Sequence, residues 1–331
     1  MKAIFLNEHE STVNRVFAEK QMARLRTLVE LREDVVTSAA AARAADLRDV
    51  EVAFSTWGML PLSAAEIGEL LPRLKAVFYA AGTVQYFARP FLERGVRVFS
   101  AWQANAVPVV QYTFAQIVLA CKGYFRVQAA TRASRAEAVK RFGAYPGNYD
   151  TKIGLLGCGA IGSRVAEMLK QLDCEVLVYD PFLSDERAAA LNVRKTTLDE
   201  IFAVCDVVSN HLANLPATVG IIKRKHLLSL RPCATFINTG RGPQLDEGDL
   251  YEALTQDPTR TALIDVMTDE KNSDDNPLNR LDNCFITPHI AGSSGREVRR
   301  MAEYMMDAFE LFEKGSPCLY EVSLAMLETM A

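Results

Sequence analysis

The chain has 331 residues, 49% hydrophobic and 24% charged, with a formal net charge of −4. That length holds two domains of ordinary size, and the composition is that of a soluble globular protein. The acidic balance argues against nucleic acid as a partner; no apolar run reaches the roughly 18 residues of a membrane span, and the start MKAIFLNEHE is no signal peptide, so a cytoplasmic protein is expected.

In chain order, Lys2–Leu6 reads as a strand and Thr12–Leu31 as a helix, with Val13, Phe17, Leu25, Leu28 and Leu31 at helical spacing. A helical Ala-rich run, Ala39–Ala45, precedes a strand at Val50–Phe54. Ser63, followed three residues later by Glu66, caps a helix ending near Leu71. Strands at Leu74–Tyr79 and Val96–Phe99 complete an α/β pattern. A long apolar helix runs from Asn105 to about Arg126, a polar helical stretch continues to about Arg141, and Gly143–Asp150 is a loop. Further on come a helix at Leu198–Ala203 and strands at Asp206–Ser209 and Ala234–Ile237. A helix at Gly248–Thr255, strands at Thr261–Val266 and Cys284–Thr287, and a last helix at Ser294–Lys314 follow. The seven cysteines are scattered and lack a CxxC pair, so they read as small core residues in a reducing compartment, and no metal-ligand cluster is expected.

The stretch Lys152–Asp180, KIGLLGCGAIGSRVAEMLKQLDCEVLVYD, organises the rest. An apolar strand runs into Gly157-Cys158-Gly159-Ala160-Ile161-Gly162. A helix follows with Ile161, Val165, Leu169 and Leu172 on one face, and a second strand ends at Asp180. This is the complete βαβ dinucleotide fingerprint. Gly157 allows the tight turn, Gly159 lets a pyrophosphate approach the backbone, and Gly162 lets the helix pack close. The helix N-terminus offers free N–H groups to phosphate. Asp180 stands where a carboxylate accepts from both ribose hydroxyls and repels the extra phosphate of NADP. NAD is therefore expected and NADP is less favoured, since neither Arg187 nor Lys195 directly follows Asp180.

Several strands end in a polar or glycine-bearing loop, at Trp57, Gly82, Gly157, Asp180, His211, Arg241, Asp265 and His289. In a parallel α/β sheet these ends share one edge, where ligands bind. The segments NTGRGPQLDE (Asn238–Glu247), LIDVMTDE (Leu263–Glu270), TPHIAGSS (Thr287–Ser294) and SNHLANLPATVGII (Ser209–Ile222), together with the glycine fingerprint, make the chain resemble the D-isomer-specific 2-hydroxyacid dehydrogenases. The likeness runs from about residue 75 to about 310 and is weaker before it.

That resemblance implies two Rossmann-like domains with doubly wound parallel sheets and a cleft between them. Residues 105–292 would form the NAD-binding domain, and 1–104 with 293–331 a discontinuous substrate domain. It implies an NAD-dependent oxidoreductase exchanging hydride with a small 2-hydroxy or 2-keto acid, and a homodimer. By the same resemblance Arg241 binds the substrate carboxylate and polarises the keto oxygen. His289 is the acid/base, and Glu270 orients its ring and favours its protonated form. Asp265, Thr239, Gly240 and Val109 meet the nicotinamide end of the cofactor. The backbone of Gly82 and Thr83 helps hold the substrate carboxylate. His211 either lines the cofactor crevice or packs. Trp57 either walls the substrate pocket or packs, and with Met59 and Tyr79 it hints at room for an apolar group. His226 and His9 read as structural or surface residues.

The chain departs from the family pattern at Lys271, where proline usually follows the glutamate, and at Val109-Val110-Gln111, where Val-Ala-Glu is common. The segment Arg126–Asp150 lacks the family's Trp-containing signature. Two rivals share the fold. A formate dehydrogenase typically has Gln in place of the glutamate, so Glu270 weighs against it. An NAD-sensing corepressor-like protein usually adds a long disordered tail.

Overall fold

The computed structural model describes residues 1–328. Two compact α/β units emerge, Met1–Ala106 with Ser293–Ala331, and Val107–Gly292. The last three residues of the expected substrate domain, 329–331, lie outside the described residues.

In the first unit, strands β1 (Lys2–Leu6), β2 (Glu30–Val36), β3 (Val52–Ser55), β4 (Ala76–Tyr79) and β5 (Arg97–Ser100) pair in the order β5-β4-β3-β1-β2, all parallel. A two-residue strand, Glu321–Val322, adds to β5 antiparallel, so this sheet is not wholly parallel as expected. Side chains alternate between the faces with the strand period of two. Ile4, Leu6, Ala53 and Val77 pack under the helices Ala39–Ala44, Ala64–Leu70 and Ala88–Glu93. Ala3, Phe5, Phe54 and Phe78 pack under Glu10–Val16, Glu19–Leu28 and Val298–Glu313. The register places Phe5 beside Phe54, Phe54 beside Phe78 and Phe78 beside Phe99. The rings of Phe78 and Phe99 stack at 4.8 Å. Each such buried ring contributes about 1.5–3 kcal/mol.

The helix expected over Thr12–Leu31 is two helices, Glu10–Val16 and Glu19–Leu28, and Leu31 belongs to β2. β2 is an edge strand reading ELREDVV, with only Val36 buried. Charge is a normal guard on an edge strand, and it masked the alternation that marks inner strands. The capping box of Ser63 and Glu66 forms, with the Glu66 N–H donating to Ser63 Oγ at 3.3 Å and the Ser63 N–H to Glu66 Oε2 at 3.0 Å.

The second unit holds a seven-stranded parallel sheet. Its strands are β6 (Tyr149–Leu156), β7 (Asp173–Tyr179), β8 (Arg194–Lys195), β9 (Val207–Asn210), β10 (Thr235–Asn238), β11 (Thr261–Ile264) and β12 (Cys284–Ile286), in the order β12-β11-β10-β9-β6-β7-β8. One face, with Leu156, Val208, Phe236 and Ile264, is covered by Leu198–Val204, Arg224–Ser229 and Glu247–Gln256. The other, with Ile153, Leu155, Val207, Ile237 and Leu263, is covered by Gly162–Leu169, Asp185–Leu191 and the long helix. That long helix spans Trp102–Cys121, not Asn105–Arg126, and stops before Gly123, which takes a φ of +61°. It is long and apolar enough to cross a membrane by length and composition, although the sequence reading found no such stretch. Val110, Ile117, Ala120 and Cys121 on it are buried in the core of the second unit. The polar stretch beyond it splits at Ser134 into Tyr124–Ala133 and Arg135–Phe142. The fingerprint helix ends at Leu169, so Leu172 packs on the same core from outside the helix.

Candidate functional site

The glycine turn follows β6. Gly157 takes a φ of +90°, and a Cβ there would lie 2.8 Å from the His211 carbonyl oxygen. A Cβ on Gly162 would lie 2.0 Å from the Gly157 oxygen, so only glycine lets the helix start this close to the strand. A Cβ on Gly159 meets nothing within 4 Å. The turn Cys158–Ile161 therefore opens onto free space at the N-terminus of the helix Gly162–Leu169, the arrangement a pyrophosphate needs. At the end of β7, Asp180 Oδ2 accepts from the Cys158 N–H at 2.7 Å and Oδ1 from the Phe182 N–H at 2.8 Å. The acid is thus held beside the glycine turn, as a ribose partner must be. Burial pushes the Cys158 thiol up, which leaves it an unreactive filler of the turn.

His211, at the end of β9, is buried, and burial pushes it down to about 3, so the ring is neutral. Its Nε2 lies 2.9 Å from Ser209 Oγ, and its Nδ1 lies 3.4 Å from Thr239 Oγ1. Thr239 Oγ1 is also 3.4 Å from Thr113 Oγ1. Val109 is buried on the long helix.

A buried amide trio, which the sequence reading missed, shapes the turn after β10. Asn210 Nδ2 donates to Asn238 Oδ1 at 3.0 Å and to Gln244 Oε1 at 2.7 Å. Gln244 Nε2 donates to the carbonyls of Leu212 and Ala213, both at 3.0 Å. The same acceptor oxygens take the backbone N–H groups of Gly240 at 3.1 Å and Arg241 at 3.0 Å. Every amide proton of Asn210 and Gln244 has a partner, which makes this a rigid support rather than a buried cost. A Cβ on Gly240 would lie 2.7 Å from Asn210 Nδ2 and from Gln244 Oε1. The only sequence signal was a polar residue at the ends of β9 and β10, and Gln244 lies in the turn Gly242–Gln244 beyond.

The trio presents Arg241. Its side chain is half-buried, and Nη1 donates to the Gly240 carbonyl at 2.8 Å. Burial lowers the guanidinium from its ordinary value, and the nearby charge of Glu270 opposes that shift. It makes no ion pair among the described residues, so the charge of this half-buried group is left without an acidic partner.

His289 and Glu270 form a pair, with Nδ1 3.0 Å from Oε1 and 3.1 Å from Oε2. The Nε2 face of the ring has no protein partner among the described residues. Asp269 is turned away, accepting from the backbone N–H groups of Lys271 and Asn272, both at 3.2 Å. Lys271 therefore leaves Glu270, not Asp269, on the histidine. Asp265, at the end of β11, is buried and accepts from the N–H groups of Ile290 and Ala291 at 2.8 and 2.9 Å. Among the described residues no group of three or more His, Cys, Asp or Glu could hold a metal.

The remaining expected residues lie in the first unit. Trp57 is half-buried after β3 with the Arg15 guanidinium 5.4 Å over its ring. Gly82 accepts from Ser100 Oγ at 2.7 Å through its carbonyl, and Thr83 is exposed. Of the other histidines, His226 is buried with Nε2 2.8 Å from Asp199 Oδ1, and His9 is exposed.

The family model for the D-isomer specific 2-hydroxyacid dehydrogenase NAD-binding domain matches residues 114–291, more than half of the chain. The chain belongs to this family. NAD is the cofactor of its second unit, and the glycine turn and Asp180 fit that cofactor. Among relatives, a D-3-phosphoglycerate dehydrogenase of Archaeoglobus fulgidus is 30% identical over 236 residues, covering 71% of this chain and 44% of the relative. A hydroxypyruvate reductase of Blautia hydrogenotrophica is 33% identical over 169 residues, covering 50% of this chain and 51% of the relative. The chain thus spans about half the length of these relatives. Among solved structures, D-mandelate dehydrogenase of Rhodotorula graminis shares the fold, with a TM-score of 0.80, 19% identity and 97% of each chain covered.

Proposed function

We propose that the chain transfers hydride between NAD(H) and a small 2-hydroxy or 2-keto acid. The observation that carries this reading is a half-buried Arg241 without an acidic partner, on the same sheet edge as a His289–Glu270 pair and a glycine turn built for a dinucleotide. Bound NADH supplies the hydride to the keto carbon. Arg241 holds the substrate carboxylate through two of its N–H donors and polarises the keto oxygen. Glu270 accepts from Nδ1–H of His289, which aims Nε2–H at the oxygen that gains the proton. One keto acid, one NADH and one proton give one hydroxy acid and NAD. Asp180 binds the ribose hydroxyls; Thr239, Gly240, Val109 and Asp265 are proposed neighbours of the nicotinamide. By the family resemblance, Gly82 and Thr83 are proposed contacts of the substrate carboxylate, and Trp57 a wall of its pocket. The names of the relatives make hydroxypyruvate and D-3-phosphoglycerate the first substrates to try.

Two further expectations belong to the same proposal. All seven cysteines are free, which fits a reducing, cytoplasmic setting. The helix pair Tyr124–Ala133 and Arg135–Phe142 buries only Ala138 and exposes Tyr124, Val139 and Phe142, which suits a partner surface for a second copy. The test of the activity is NADH and NADPH oxidation against a panel of 2-keto acids, with Arg241→Ala alongside. Turnover is expected with NADH, and Arg241→Ala is expected to lower kcat/KM by about a hundredfold or more. Tight NADH binding without turnover across the panel would favour a sensor on the same fold.

A further inference from the structure

His289 takes a φ of +55°, a left-handed backbone that a non-glycine residue adopts only when its surroundings impose it. What imposes it here lies in neighbouring strands. β11 and β12 are paired with Ile264 opposite Ile286, so Asp265 and Thr287 leave the sheet side by side. Thr287 Oγ1 donates to Asp265 Oδ1 at 2.6 Å. The same carboxylate takes the N–H groups of Ile290 at 2.8 Å and Ala291 at 2.9 Å. One carboxylate therefore ties residue 287 on one side of His289 to residues 290 and 291 on the other. The His289 N–H is held as well, by the carbonyls of Asp265 at 3.0 Å and Thr287 at 2.9 Å. The segment Pro288-His289 has to arch between these points, and the arch aims the ring at Glu270.

The Thr287 hydroxyl has a second neighbour, Tyr112 Oη, at 3.2 Å. A hydroxyl has one proton, and a carboxylate can only accept, so Thr287 gives its proton to Asp265 and Tyr112 donates to Thr287. Burial pushes the Tyr112 phenol up, which keeps it a donor. The direction Tyr112 to Thr287 to Asp265 is thereby fixed.

We infer that Thr287 is a positioning residue for His289, acting through Asp265, with Tyr112 as its outer support. The kinetic arm of this inference rests on the dehydrogenase reading; the chemical arm does not. The test compares Thr287→Val with Thr287→Ser in the full chain. One measurement is kcat and KM for the 2-keto acid that the parent protein reduces fastest with NADH. The other is the rate at which diethyl pyrocarbonate modifies His289 without substrate, read by peptide mass spectrometry against exposed His9. Thr287→Val is expected to lower kcat about ten- to a hundredfold with KM held within about twofold, and to raise His289 modification about threefold, because displacement of a reacting group by a fraction of an ångström is costly. Thr287→Ser restores the hydroxyl and should restore both. An unchanged modification rate overturns the inference whatever kcat does, since the effect then does not run through His289. A rise in KM with kcat intact overturns it too. If the parent protein reduces no 2-keto acid, yet modification shifts in Thr287→Val and returns in Thr287→Ser, the dehydrogenase reading falls and the positioning role stands. Should Thr287→Val fail to fold, Tyr112→Phe takes its place, with a shift of about twofold expected and no shift overturning the role.

Discussion

The two units answer the same topological problem in opposite ways. In each, the strand order reverses about a switch point, between β1 and β3 in the first unit and between β6 and β9 in the second. A doubly wound sheet opens a crevice there. In the first unit the buried side chain of Asn7 fills it, with Nδ2 donating to Ser55 Oγ at 3.3 Å and to the carbonyls of Thr56 and Trp57 at 3.2 and 3.0 Å. In the second unit the place after β6 holds glycines, and the space beside Gly159 stays free. Topology supplies the crevice, but the residue after the first strand decides whether it is a joint or a binding site. Among the described residues, only the second unit combines the room, the helix N-terminus and the acid that a dinucleotide requires.

The strongest way to break that contrast is to fill the second crevice. Gly162→Ala places a methyl against the Gly157 carbonyl at 2.0 Å, so the helix must move off the sheet. A loss of up to about 3 kcal/mol is expected in denaturant unfolding, with NADH binding lost alongside. Gly159→Ala is the sharper partner, because its methyl meets no protein atom within 4 Å. It should unfold like the parent protein and still bind NADH less well in a fluorescence titration. If Gly159→Ala binds NADH as tightly as the parent protein, the free space at Gly159 is not a ligand site.

The reverse experiment empties the first crevice. Asn7→Ala removes an amide that serves three acceptors and leaves the buried carbonyl of Thr56 without that donor. The expected cost is about 1–3 kcal/mol. NADH affinity should stay within about twofold, because no cofactor group is assigned to that unit. A change in NADH affinity as large as that of Gly159→Ala would show that Asn7 does more than close a joint.

What was legible in the sequence follows from the same contrast. A crevice kept open by glycine leaves a local trace, since Gly157, Gly159 and Gly162 must occur at fixed spacing and Asp180 must end the next strand. The TPH turn was readable only as part of the motif Thr287–Ser294 that carries the family resemblance, and its left-handed backbone at His289 left no trace. A crevice closed by a side chain leaves little trace, and Asn7 reads as an ordinary polar residue after a strand. The trio Asn210, Asn238 and Gln244 was illegible because two members end separate strands, the third lies in the turn Gly242–Gln244, and they meet only once β9 and β10 are paired. The bond from Thr287 to Asp265 likewise needs the register of β11 with β12. β2 was hidden for the opposite reason, since an edge strand is free to carry charge and so loses its alternation.

The smallest effect tests the buried histidine that follows β9. His211 is neutral in the folded protein, pushed down to about 3 by burial, whereas an unfolded histidine titrates near its ordinary 6.5. Below 6.5 the unfolded chain therefore binds a proton that the folded chain refuses. Stability is full above that pH and falls as the pH drops toward 3, by at most about 1.4 kcal/mol per pH unit from this residue. His226, which burial also lowers, contributes in the same direction, with Asp199 opposing the shift. His211→Gln isolates the first term, because His226 and every carboxylate remain in both proteins. Between about pH 7.5 and about pH 5 the parent protein should lose more unfolding free energy than the variant. Equal losses would mean that His211 takes its proton while folded. The imidazole would then be solvated, open to water rather than sealed by Ser209 and Thr239.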